Sequence, residues 1–217
     1  MSKLNKLFKP VQIGTMIVKN RIVMPAMVTN FATEKGEVTK RLINYIVERA
    51  KGGVGLITVE GAYIEVTGKR TKNQLGVYSD SLISGLRKLT NAAKRVSNKN
   101  AIGVKVSLQL QHGGRECISK ITGKQPVGPC SLRSSFTAIS KTGEIPKELT
   151  IKEIQNIIEL YAEGARRAKE SGFDAIELHA AHGYLIHQFL SPESNKRTDK
   201  YGGNLRKRTR FICEIIE

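Results

Sequence analysis

Four apolar runs, each followed by an amphipathic helical stretch, constrain this chain more than any other feature. The runs are RIVMPAM (21–27), VGLITVEGAYI (54–64), AIGVKVSLQLQH (101–112) and FDAIELH (173–179). They are rich in aliphatic and β-branched residues, and near-continuous hydrophobicity is the mark of strands covered on both sides in a parallel sheet. After the first run, TKRLINYIVERAKGG opens on Thr39 as an N-cap. It sets Leu42, Ile43, Ile46 and Ala50 on one face and ends in two glycines. The stretch from Ser81 to Val96 carries its stripe at Leu82, Leu86, Leu89 and Ala93. TIKE is a capping box that opens the helix IKEIQNIIELYAEGARRAKESG, which stops at Gly172. Asn204 caps a last helix whose apolar side is Leu205, Phe211, Ile212 and Ile215. Ahead of all this, two β-prone runs around Gly14-Thr15 in VQIGTMIVK (11–19) predict a hairpin. The order is a hairpin, then strand and helix four times: a parallel sheet covered by helices.

Two architectures fit that order, a doubly wound open sheet and a (β/α) barrel. The glycines of AKGGVGLI follow a helix and precede a strand, which is the wrong order for a dinucleotide fingerprint, so they read as a helix stop. In either architecture the functional residues lie at the C-terminal ends of the strands. Those ends supply Pro25, Ala26 and Met27 with Thr29, then Glu60 and Gly61, then Gln109 and His112, then His179 and His182. Four strand ends feeding one site is how a barrel behaves.

At 217 residues one domain is the default. No apolar run reaches the length of a membrane span, and MSKLNKLFKP lacks the apolar core of a signal peptide, so a cytoplasmic protein without a membrane partner is expected. Cys117, Cys130 and Cys213 are odd in number and far apart, and read as free thiols. The formal charge of +17 attracts phosphates in general, yet the cations are spread along the chain. The densest patch, NLRKRTR (204–210), has helical spacing and reads as a solvated helix face. With no stacking aromatics and no recognition helix, no nucleic-acid partner is expected. GKRTK (68–72) and KTGEIPKE (141–148) read as solvated loops.

HAAHGYLIHQFLSPESNKRTDKYGG (179–203) holds three of the chain's four histidines. A His-x-x-His pair after a strand suits a metal site, a catalytic base with its partner, or two donors gripping one substrate atom. A metal would want a third ligand at a firm spacing. Glu177 shares the face of His179 but lies deeper, and no metal is expected. His187 reads as structural or surface, and Tyr184 taken alone as a core tyrosine.

KNRIVMPAM, QLQHGGR and GFDAIELHAAHGYLIHQFLSPESNKRTDKYGGNLRKRTRF closely resemble the Old Yellow Enzyme family of flavin-dependent oxidoreductases, and the resemblance covers the whole chain. ERAKGGVGLITVEG and the hairpin are most similar to the branch of 2,4-dienoyl-CoA reductases, enoate reductases and NADH oxidases. The resemblance implies a TIM (β/α)8 barrel carrying FMN at its C-terminal mouth. NADH or NADPH would reduce the flavin, and hydride would pass from it to the activated C=C of an α,β-unsaturated carbonyl or enoyl thioester. The flavin ring would rest on Pro25, Ala26 and Met27, with Gly61 allowing close approach and Gln109 meeting the pyrimidine edge. His179 and His182 would share the substrate's carbonyl oxygen, and Tyr184 would protonate the α-carbon. Two departures stand out: the family's APM is PAM here, and Val28 follows where many members carry Thr or Cys, with Thr29 next.

A TIM barrel has eight strand–helix units in about 250 residues, and this chain has four. The expectation is therefore the N-terminal half of a flavin-binding barrel over 1–217, behind a hairpin and without a second domain. The fifth-strand arginine, the phosphate site of strands seven and eight, and any iron–sulfur cluster would belong to a longer, full-length form. Open edges on the first and fourth strands invite self-association. FMN binding by this chain alone would be weak. The alternative reading is an inactive half-barrel fragment, or a structural or assembly module.

Overall fold

The computed structural model describes residues 5–96, 102–134 and 143–217. Strands β1 (Val11–Ile13) and β2 (Met16–Val18) pair antiparallel around Gly14, whose φ of +57° is the left-handed turn conformation that glycine adopts at no steric cost. Then come β3 (Val23–Met24), α1 (Lys40–Lys51), β4 (Leu56–Tyr63), α2 (Ile83–Arg95) and β5 (Lys105–Gln111). The connection beyond β5 holds α3 (Ser119–Thr122), β6 (Val127–Gly128) and β7 (Lys147–Glu148), the last two a parallel pair. α4 (Ile151–Glu170), β8 (Ala175–Leu178), α5 (Leu185–Leu190) and α6 (Leu205–Ile216) complete the chain.

The main sheet has the order β3-β4-β5-β8. β3 and β4 are parallel, with Val23 opposite Leu56. Lys105 N donates to Gly55 O (2.9 Å) at the start of β5, and Ile64 N to Gln111 O (3.2 Å) at its end, so β4 and β5 run the same way. Asp174 N to Val106 O (2.8 Å) and His179 N to Leu110 O (3.1 Å) give β8 the same direction on β5. Side chains alternate along these strands. Ile57, Val59, Val106, Leu108 and Leu110 lie on one face, all fully buried. The other face is polar, and its side chains bond to one another: Ser107 Oγ to Thr58 Oγ1 at 2.8 Å, and Gln109 Nε2 to Glu177 Oε1 at 2.5 Å.

The chain clusters into two compact units. One comprises residues up to Ala62, Asn73–Gln109 and Arg166–Glu177. In it α1 packs on α2 through Leu42, Ile46, Leu86, Leu89 and Ala93, the stripes that the helical periodicity predicts. Thr39 caps α1 by accepting from Leu42 N (3.2 Å). The Asp174 carboxylate takes Val106 N (2.9 Å) and pairs with Lys94 (2.9 Å) and Lys105 (3.5 Å).

The other unit comprises Tyr63–Lys72, Leu110–Ala165 and Leu178–Glu217. The Thr150–Glu153 box is formed in both directions, Glu153 N to Thr150 Oγ1 (3.2 Å) and Thr150 N to Glu153 Oε2 (2.9 Å). Gly164 of α4 lies against the side chains of Ile64 and Leu110, where a Cβ would come within 3.2 Å of Ile64. α5 packs on α6, with the Phe189 and Phe211 rings 4.4 Å apart. Arg197, buried, donates to Pro129 O (2.9 Å) and Leu149 O (2.6 Å) and pairs with Asp199 (2.5 Å).

Four expectations need correction. The first strand starts only at Val23, not at Arg21, and runs Val23–Met24 up to Pro25, which has no N–H with which to continue a ladder. Leu205 is 65% exposed, so the apolar side of α6 rests on the fully buried Phe211. GKRTK is no solvated loop, since Gly68 and Lys69 are buried. Of KTGEIPKE, Gly143 and Pro146 are buried and Lys147–Glu148 forms β7, while residues 141–142 lie outside the described residues. All three cysteines are free thiols, two of them buried. Among the described residues no helix is long and apolar enough to cross a membrane.

Candidate active site

The expected flavin-side residues all lie in the first unit. Beyond β3 the chain turns Met27 and Val28 outward, 46% and 41% exposed. Thr29 anchors this strip to β4 by donating its N–H (2.7 Å) and Oγ1 (3.0 Å) to the Glu60 carboxylate. Burial pushes the Glu60 carboxyl up, against the opposing pull of the bonds from Thr29 and Asn30. Asn30 itself sits at φ +56°, a left-handed conformation that asparagine tolerates better than most residues. Gly61 is buried, and its carbonyl accepts from Gln74 Nε2 (2.6 Å). The Gln109 bond to Glu177 uses one N–H and leaves the amide a second N–H and a carbonyl to offer. An exposed apolar strip, a residue without Cβ and an amide with both polarities fit a flat, partly polar ring system such as a flavin.

His179, His182 and Tyr184 lie together in the second unit. Ala181 N donates to His179 Nδ1 (3.3 Å), so in the neutral ring the proton sits on Nε2. That Nε2–H faces His182 Nδ1 at 3.2 Å, which leaves His182 its proton on Nε2. His182 reaches this position with φ at +57°, a left-handed conformation costing about 1 kcal/mol or more in a residue with a Cβ. Burial, then the neighbouring His182 and Arg70, lower the His179 pKa to about 4, so at neutral pH it is an uncharged donor. The Tyr184 ring lies edge-on to His179, with centroids 4.6 Å apart. His187 takes no part in the cluster. It is exposed and accepts from Gly183 N (3.1 Å), closing the turn before α5.

A buried polar frame supports these residues. His112 Nδ1 accepts from Gly114 N (2.9 Å), so its Nε2–H points at Glu65 Oε1, 2.8 Å away. Burial works to raise the Glu65 carboxyl, but the His112 bond and charge bring it below the usual range. Gln188 donates to Gly113 O (3.1 Å) and Gly183 O (2.6 Å) and accepts from Arg115 N (3.2 Å). It thereby ties the end of β5 to the turn bearing His182. Arg70 donates through Nη1 to Tyr184 Oη and lies 4.7 Å from that ring's centroid. On β5, Gln111 is 1% exposed, and neither of its amide atoms has a partner among the described residues.

Sequence reasoning missed Arg70, Glu65, Gln188 and Gln111. Arg70 and Glu65 stand in a polar segment whose folding back no local pattern announces. Gln111 had a signal, because the alternation Ser107, Gln109, Gln111 puts it on the polar face of β5.

Residues 6–217 match the sequence profile of the NADH:flavin oxidoreductase / NADH oxidase family. The chain is similar to the NADH oxidase of Thermoanaerobacter brockii, 45% identical over 100% of this chain and 32% of that one. Among solved structures it is similar to 2-naphthoyl-CoA reductase in complex with 2-naphthoyl-CoA, with a TM-score of 0.89 at 37% identity over 98% of this chain and 33% of that one. The old yellow enzyme homologue from Zymomonas mobilis matches with a TM-score of 0.87 at 30% identity, covering 97% of this chain and 58% of that one. The chain thus spans between a third and three-fifths of these relatives. Its sheet and helices are the first four βα units of their barrel fold behind an N-terminal hairpin. By sequence and by fold, this chain belongs to the NADH:flavin oxidoreductase / NADH oxidase family.

Proposed function

We propose that this chain carries the ring-binding and substrate-gripping part of an FMN-dependent oxidoreductase that uses NADH or NADPH to reduce the activated C=C of an α,β-unsaturated carbonyl or enoyl thioester. The observation that carries the reading is the His179–His182 contact with Tyr184 against it: two imidazoles and a phenol in one cluster. When bound, the flavin accepts hydride from the nicotinamide and supplies it to the alkene. Pro25, Ala26, Met27 and Gly61 receive its ring, and Gln109 addresses its polar edge. His179 Nε2–H and His182 Nε2–H are the donors for the substrate oxygen, on which charge grows as hydride arrives at the β-carbon. Such donors each contribute a few kcal/mol, about 10²–10³ in rate. Tyr184 gives its proton to the α-carbon, completing addition across the double bond.

The test is spectroscopic. The FMN-loaded chain titrated with a para-substituted phenol is expected to develop a long-wavelength charge-transfer band. His179→Phe and His182→Gly, which carry no side-chain donor, should weaken it while flavin stays bound. A band of unchanged strength in both variants would remove the two histidines from the site.

A further inference from the structure

We infer that Arg70 is a positioning residue for proton delivery: it fixes the Tyr184 phenol from one side and pairs with the phenolate left once the proton has gone. The inference rests on the reading of Tyr184 as proton donor. Arg70 follows a short turn, Val66–Gly68, that is pinned from several directions. Gly113 N donates to Gly68 O (2.9 Å), and the His112 ring lies so close to Gly68 that a Cβ there would come within 2.8 Å of it. The Glu65–His112 bond (2.8 Å) closes the base of the turn. The stem of Arg70 runs against Gly113, where a Cβ would meet Arg70 Cγ at 2.7 Å. Its head is therefore delivered to the Tyr184 oxygen by a built frame.

A phenol has one proton and two lone pairs. The guanidinium occupies a lone pair, which leaves the O–H to point elsewhere, toward a ligand held by the histidines. In the step itself the Tyr184 O–H bond breaks and its proton forms a C–H bond at the α-carbon. The electron pair stays on the phenolate oxygen. The alkene's π electrons make the new bond at the α-carbon, while hydride from the reduced flavin makes the bond at the β-carbon. A proton from water then restores the phenol. The charge left on Tyr184 thus forms against a permanent cation already in place, so the environment need not reorganise. The same cation disfavours a proton on His179. It thereby divides the labour, with His179 as a neutral hydrogen-bond donor and the tyrosine as acid.

Two measurements test this on the chain and on Arg70→Gln, Arg70→Lys and Tyr184→Phe. First, without flavin, tyrosine is labelled with ¹³C at Cζ, and the Tyr184 resonance is the one lost in Tyr184→Phe. It is expected to shift in Arg70→Gln and to lie near its native position in Arg70→Lys, with circular dichroism confirming that the variants fold. Second, the two half-reactions of the FMN-loaded chain are followed by stopped flow. Arg70→Gln should slow alkene-dependent flavin reoxidation by about 10–100-fold, within the range of a general acid. Flavin reduction by NAD(P)H should change little. Millimolar guanidinium should restore part of the loss, and Arg70→Gln should cost nothing further in the Tyr184→Phe background. An unmoved resonance, or a full additional loss in the double variant, overturns the inference while leaving Tyr184 as acid. Unchanged alkene reoxidation in Tyr184→Phe overturns the proton-donor reading, and the inference with it.

Discussion

His179 Nε2 and His182 Nδ1 meet at 3.2 Å, and Ala181 N on His179 Nδ1 fixes which partner gives the proton. A ligand oxygen must therefore compete with His182 for the His179 proton, whereas the His182 Nε2–H is available from the start. His182→Gly should keep the left-handed backbone, which glycine adopts at no steric cost, while removing that donor. Alkene reduction is expected to fall about 10²-fold with flavin reduction unaffected. His182→Val should in addition lower the thermal midpoint. Steady-state rates and thermal melts on the pair separate the two effects.

The depressed His179 pKa makes a prediction about acid stability. Unfolded, this histidine titrates near 6.5, and folded near 4. Between these values the unfolded chain binds the extra proton, so stability falls as pH drops through that window, by about 2–3 kcal/mol. Glu65, held below its ordinary 4.5, adds a second loss at lower pH, as it is protonated and gives up its bond to His112. Urea midpoints from pH 7 to pH 4 should decline in the native chain and less steeply in His179→Gln. Parallel declines would place the acid sensitivity elsewhere.

Gln111 buries an amide whose two polar atoms have no partners among the described residues. Such groups cost about 1–3 kcal/mol apiece, so Gln111→Leu should stabilise the ligand-free chain by a few degrees in Tm. A lower Tm would show that the amide is satisfied in solution.

Arg197 stitches the residues just after β6 and β7, Pro129 and Leu149, to the Asp199 turn through two backbone carbonyls and a carboxylate. Arg197→Ala leaves Asp199 without its counter-ion and should destabilise by about 3–5 kcal/mol. Arg197→Lys should recover little, because an ammonium cannot reproduce the fork of a guanidinium. Urea denaturation of the three forms decides it.

Most of the fold was legible because hydrophobic period and caps are local. Leu82, Leu86, Leu89 and Ala93 recur at helical spacing and are buried together, and Thr39, Thr150 and Asn204 cap where a side-chain oxygen meets orphan amides. Strand β5 was less well read. Its apolar character hid the alternation of Ser107, Gln109 and Gln111 with buried leucines, and so hid the polar face. The residues resembling the family's motifs led to His179, His182 and Tyr184. Arg70 is 114 positions from Tyr184 in the chain, and only the folded loop brings them into contact.

The division into two compact units has an evolutionary side. The chain passes between them five times, after Ala62, Lys72, Gln109, Ala165 and Glu177. Neither unit is therefore a contiguous cassette that one recombination event could lift out or a single protease nick could release. Variation in such an architecture has to come by substitution, or by exchange of whole strand–helix repeats, rather than by shuffling one unit against the other.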